Sequence, residues 1–130
     1  LKETTEILGG EYAFSGTITR PDVIQKKPHI VQKVVTALVK ASHFIQKSTP
    51  EQIAAAVPQD LVGDGAQFVE TVRNSKEIFT PTGLASQTAV DNLMKVLDTF
   101  GVFKGEQTVD VAATYDMRFV RKAMQDLKIP

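Results

Sequence analysis

The side chains able to do chemistry in this chain are few, and their spacing keeps most of them apart. Cysteine is absent, which removes disulfides, thiolate nucleophiles and cysteine-based zinc sites. His29 and His43 fall on one helical run, where the rise per residue separates them by roughly 21 Å, too far to share a metal. Neither has a carboxylate or a second histidine three or four positions away, the spacing at which a helix presents two ligands on one face. Gly63-Asp64-Gly65 has the composition of a calcium or phosphate loop. It lacks the alternating acids of the first and the closing lysine of the second, so it reads as a helix-capping turn. No serine is framed as Gly-x-Ser-x-Gly, and no dinucleotide fingerprint occurs. Asp110 and Asp116 pair as carboxylates only if the backbone between them folds back. Tyr12, Phe14 and Tyr115 could stack on a flat ligand, though packing is their simpler use. The residues thus give no catalytic constellation, no metal site and no cofactor site, and no enzyme is expected.

Charge narrows the partners. Fifteen basic residues balance fifteen acidic ones in 130, so no long-range field attracts nucleic acid or an anionic membrane. Lys26-Lys27 and Arg121-Lys122 read as solvated faces rather than phosphate tracks. No stretch approaches the roughly 18 consecutive apolar residues of a membrane span. The opening, LKETTEILGGEYAF, begins at Leu1 without a start or targeting signal of its own. A piece of a longer protein is expected.

The element around which the rest must be organised is Pro28 to Ser48. Ile30, Val34, Leu38, Ala41 and Ile45 form one apolar row at helical spacing, with Val31, Val35, Val39 and Phe44 beside it. So wide an arc predicts a mostly buried helix, with Lys33, Lys40, Gln46 and Lys47 left to water. Burial has to stabilise it, because β-branched residues lower helix propensity by up to about 0.7 kcal/mol each, whereas one buried Val, Leu, Ile or Phe contributes about 1.5–3 kcal/mol.

Around this helix the punctuation is local. Residues 1–10 read as a loop or short helical turn ending in Gly9-Gly10. Glu11 to Thr19 alternates like a strand, with Gly16 at a bend or close approach. Pro21 opens a short helix. Thr49, Pro50 and Gln52 form a capping-box start for a helix that ends near Pro58. Asp64 with Gln67 caps the next, which Asn74 and Ser75 close. Phe79 to Gly83 is a turn. Ser86 to Phe100 is a second amphipathic helix, with Val90, Leu93, Met94, Val96, Leu97 and Phe100 inward and Gly101 as its stop. Lys104-Gly105 is a turn, Thr108 to Ala112 a short strand or extended arm, and Met117 to Leu127 a last helix capped by Asp116. That last helix packs through Phe119, Val120, Ala123, Met124 and Leu127. Five or six helices and one or two short strands result. The strand at Glu11–Thr19 needs backbone partners from elsewhere, either a missing part of the polypeptide or a second copy.

This order of elements resembles a known family. The run of Pro28, Ile30, Val31, Val34, Val35, Ala37 and Leu38, followed by Pro50, Glu51, Ile53 and Ala54, resembles the late part of the solute-binding proteins of ABC importers for nitrate, sulfonate, taurine and pyrimidine precursors. Phe79-Thr80-Pro81-Thr82-Gly83 looks like the turn of that group. Val109, Asp110, Tyr115, Asp116, Phe119 and Ala123 look like its closing segment. The resemblance implies an α/β fold of the type II periplasmic-binding-protein kind. Residues 1–130 would be its mostly helical C-terminal portion, with 1–19 the interlobe crossing segment and strand, and 20–130 the helical part. It also implies a small polar or anionic solute held between two lobes, a membrane permease as partner, a periplasmic or other extracytoplasmic location, and no cofactor. In that frame the crossing strand touches the cleft. Ser15, Gly16 and Thr17 are the candidate ligand-binding residues, two hydroxyls flanking a glycine that lets the backbone come close. Two alternatives stand beside this reading: a thiamine-pyrimidine biosynthetic enzyme of the same group, and a stand-alone helical domain that dimerises through Glu11–Thr19.

Overall fold

A computed structural model describes residues 4–13, 15–102 and 110–130. In chain order its helices are α1 (Thr4–Leu8), α2 (Pro21–Lys26), α3 (Pro28–Lys47), α4 (Pro50–Ala56), α5 (Gln59–Val62), α6 (Gly65–Ser75), α7 (Gln87–Thr99) and α8 (Arg118–Leu127). Short 3-10 turns follow at Lys76–Ile78 and Val111–Ala113. The chain is mostly helical, and among the described residues none forms a strand. It folds as two compact units, each discontinuous in sequence: residues 1–26 with 85–117, and residues 27–84 with 118–130.

The unit built on α3 has a helix pair at its centre. α3 packs against α8, and Val39 and Ala123 are its most deeply buried apolar residues, at 2% and 0% exposure. An alanine on the inner face of α8 removes the bulk that would otherwise hold two helix axes apart. A polar clasp fixes their register. Gln32 donates one amide hydrogen bond to the Phe119 carbonyl at 2.9 Å and another to the Thr36 hydroxyl at 3.2 Å. The second pair in this unit is α4 with α6. α4 starts where Thr49 accepts from the Gln52 N–H at 3.3 Å and the Gln52 side chain accepts from the Thr49 N–H at 2.9 Å, a complete capping box with Pro50 at the first position. Asp64 caps α6 by accepting from the Gln67 N–H at 3.0 Å. Gly63-Asp64-Gly65 is therefore the capping turn expected, and Gly63 has the positive φ of 60° that favours glycine.

The other unit is built on α7, which Ser86 caps by accepting from the Ala89 N–H at 3.1 Å. Ala89, Val90 and Asn92 are its buried residues. A non-helical segment lies along this helix. The buried Asn92 side chain donates to the Glu11 carbonyl at 2.8 Å, the Ala13 N–H donates to the Ala89 carbonyl at 3.3 Å, and the Ser86 hydroxyl donates to the Glu11 carboxylate. The close approach in this segment is at Gly10, where a Cβ would meet the Thr88 methyl at 3.0 Å.

Four expectations are corrected. Glu11–Thr19 forms no strand in its described residues, where the Ala13 N–H donates to a helix carbonyl and the Glu11 carbonyl accepts from an asparagine side chain. The expected arm at Thr108–Ala112 falls partly outside the described residues. Its described end is a 3-10 turn that Asp110 caps by accepting from the Ala112 N–H at 3.1 Å. Phe100, expected inward, is 80% exposed. It sits at the C-cap of α7, where the chain already turns toward Gly101 and the helical register no longer sets its direction. Gln46, expected to meet water, is half-buried and donates to the Phe79 carbonyl at 2.6 Å. α5 had no sequence signal beyond Pro58 ahead of it, and α8 starts one residue later than expected.

Candidate interaction surface

The largest departure from expectation lies on α3. Its apolar arc is as wide as the spacing predicts, but the fold uses only part of it. Val39 is buried and Val31 and Val35 are half-buried on the side that carries Gln32, Thr36 and Gln46, the residues clasped to the rest of the unit. Most of the first predicted row points outward, joined by Phe44 from the neighbouring set, while its last member Ile45 is half-buried. Ile30, Val34, Leu38 and Phe44 are 44%, 46%, 46% and 43% exposed, and Ala37 and Ala41 between them are exposed as well. The physical reason is the size of the partner: α8 is a ten-residue helix, and one helix covers only one stripe of another.

The charged residues beside this surface are sorted by use. α3 contains Lys33, Lys40 and Lys47 and no acidic residue. All three lysines are exposed, and none forms an ion pair with a described residue. Four other cations are engaged, whereas Lys26, Lys27, Lys95, Arg121 and Lys128 form no ion pair with a described residue either. Arg73 forks between Glu51, at 3.1 Å, and Glu70. Lys122 pairs with Asp126 at 2.9 Å, and Arg20 with Asp22 at 2.9 Å. Lys76 donates to the Ser48 carbonyl at 2.8 Å, where a cation suits the C-terminal end of α3. Among the described residues, Glu51 has a shifted carboxyl. Its own backbone N–H, the Thr49 hydroxyl and Arg73 hold its carboxyl below the ordinary value of 4.5.

The residues singled out for chemistry are placed as follows. His29 is exposed and His43 half-buried on α3, and no group of three or more His, Asp or Glu that could hold a metal occurs among the described residues. Tyr12 is half-buried, Tyr115 is exposed, and Phe14 lies outside the described residues. Ser15, Gly16 and Thr17 are exposed neighbours outside any helix, and among the described residues no atom lies within 4 Å of where a Cβ on Gly16 would sit. What sequence reasoning missed is the exposed row of α3. A signal for it existed, since lysines recur every seven residues at 33, 40 and 47, just ahead of Val34, Ala41 and Ser48. No described helix is long and apolar enough to cross a membrane. Comparison with protein-family models gives no match, and comparisons with curated proteins and with solved structures give none either.

Proposed function

We propose that the chain is a binding component that docks a protein partner on the outward face of α3 and performs no catalytic step of its own. The observation that carries this reading is the row Ile30, Val34, Leu38 and Phe44, more than two-fifths exposed along the longest helix of the fold. Such a stripe costs solubility and invites association, so a partner surface is its natural complement. α3 is preformed by α8 and the Gln32 clasp, which lowers the ordering cost of docking. Selection of displayed random peptides on the purified chain tests it. Peptides with apolar anchors at i, i+3, i+4 and i+7 should be enriched, and their binding should vanish on Val34→Asp, Leu38→Asp. No enrichment, or enrichment indifferent to those substitutions, overturns the reading.

A second reading is favoured by the helix starts. α3 begins at Pro28 and α4 at Pro50 behind a capping box, where the resemblance to importer solute-binding proteins puts them. On this reading the chain is the helical C-terminal portion of an α/β bilobal receptor. The outer face of α3 then packs on the remainder of its lobe, and a small anionic solute lies at Ser15, Gly16 and Thr17. Calorimetric titration with taurine and nitrate tests it. Heat of binding lost in Ser15→Ala, Thr17→Ala supports the receptor, and no heat for the native chain rejects solute binding by these residues.

A further inference from the structure

The exposed face of α3 has a finer pattern than an apolar stripe. Ile30, Val34, Ala37, Ala41 and Phe44 follow one another at steps of four, three, four and three residues, the alternation that brings a straight seam onto one side of a helix. Leu38 extends the stripe on the side that leads into the fold. The opposite edge is lined by Lys33 and Lys40, immediately before the seam residues Val34 and Ala41, and by Lys47 seven residues further on, all without ion pairs to described residues. Ala37 and Ala41 leave the middle of the seam shallow, so large side chains of a second helix can fill it. At about 1.5 Å per residue, the twenty residues of α3 offer a track about 30 Å long.

From this we infer that the outward face of α3 takes an amphipathic helix with apolar residues at coiled-coil spacing and a row of Asp or Glu on the flank facing Lys33, Lys40 and Lys47. The inference rests on the docking reading above and adds the partner's chemistry. Electrostatics decides against a second copy of this chain. Two α3 helices packed antiparallel set one lysine row against the other. Packed parallel, they set the lysines against Val31, Leu38 and Ile45, and no anion compensates either arrangement because α3 has no acidic residue. A lipid surface fits less well than a helix, since the lysines line only one edge of the seam and the other edge turns into the fold.

Two synthetic peptides of twenty-one residues test this with the full chain. Both carry leucine at the seam positions. One carries glutamate and the other lysine at the flanking positions. The glutamate peptide should bind about tenfold or more tightly than the lysine peptide, from three favourable pairs against three repulsive ones. Its affinity should fall with added salt. Lys33→Glu, Lys40→Glu, Lys47→Glu should reverse the order while the circular dichroism spectrum stays unchanged. Equal affinity for both peptides overturns the acidic partner and leaves the docking reading standing. Binding of neither overturns both. A concentration-dependent dimer that Val34→Asp, Leu38→Asp dissociates overturns the inference in favour of a second copy. Co-sedimentation with phosphatidylglycerol vesicles, lost in the same variant, overturns it in favour of a lipid surface.

Discussion

Single side chains in this molecule act mainly by holding backbone ends in place. Glu51 illustrates it. Its carboxylate sits in the first turn of α4, bound by its own N–H and the Thr49 hydroxyl and reached by Arg73 from α6. These contacts favour the charged form, so the folded carboxyl titrates below the unfolded one. The stabilisation is present above the ordinary value of 4.5 and disappears as pH falls through the lowered folded value. Glu51→Gln should therefore lower the urea midpoint at neutral pH and match the native chain in strong acid. Arg73→Met should move the Glu51 carboxyl resonance's titration only partly back upward, because the backbone and Thr49 contacts remain. Full return to the ordinary value would show that Arg73 alone sets it. Asn92 is the buried counterpart. Its side-chain amide is the partner of the Glu11 carbonyl, and Asn92→Leu leaves that carbonyl unpaired, a loss of about 1–3 kcal/mol measurable by chemical denaturation.

At the scale of elements, the two sides of α3 should answer differently to the same truncation. Val39→Ala empties a site only 2% exposed and should cost about 2 kcal/mol, two methyl groups plus a residual cavity. Val34→Ala, on the outward row, should cost less than about 1 kcal/mol, because surface changes outside the core have small effects. Equal losses would place both rows in one core. This contrast also marks how far the sequence could be read. Helix starts were legible because they are local: Thr49, Asp64 and Ser86 each accept from an N–H three residues on, and a three-residue pattern is visible in a string of letters. The width of the apolar arc on α3 was legible for the same reason. Which part of it is covered was not, because that depends on α8, some eighty residues away, and on its short length. Glu11–Thr19 failed in the same way. Alternation marks an extended backbone, but only tertiary contact decides whether its partner is a strand or, as here, the side of α7. The candidate surface was therefore half visible, as lysine spacing without exposure.

The whole molecule combines two small cores. The buried apolar residues among the described chain are Val39, Ile53, Val62, Ala89, Val90 and Ala123, without a phenylalanine or leucine among them. Small buried side chains remove little apolar area from water, so stability should lie near or below the lower end of the ordinary range, about 5 kcal/mol. That has a consequence for dynamics. In the unit holding α3 and α8, amides of the paired helices should exchange slowest, because their hydrogen bonds break only when the buried pair opens. In the other unit, α2 has no buried residue, and Thr17, Ile18 and Thr19 are exposed outside any helix. These amides should exchange fastest, and proteinase K should cut first between Ser15 and Thr19. Binding on the outward face of α3 should then slow exchange across α3 and α8 and raise the melting temperature with partner concentration, because a ligand that binds only the folded state stabilises it by mass action. Protection confined to the residues around Ser15 on adding taurine or nitrate would instead place function on the segment ahead of α2 and support the solute-binding reading. The two patterns fall on different elements, so one hydrogen-exchange experiment separates the readings.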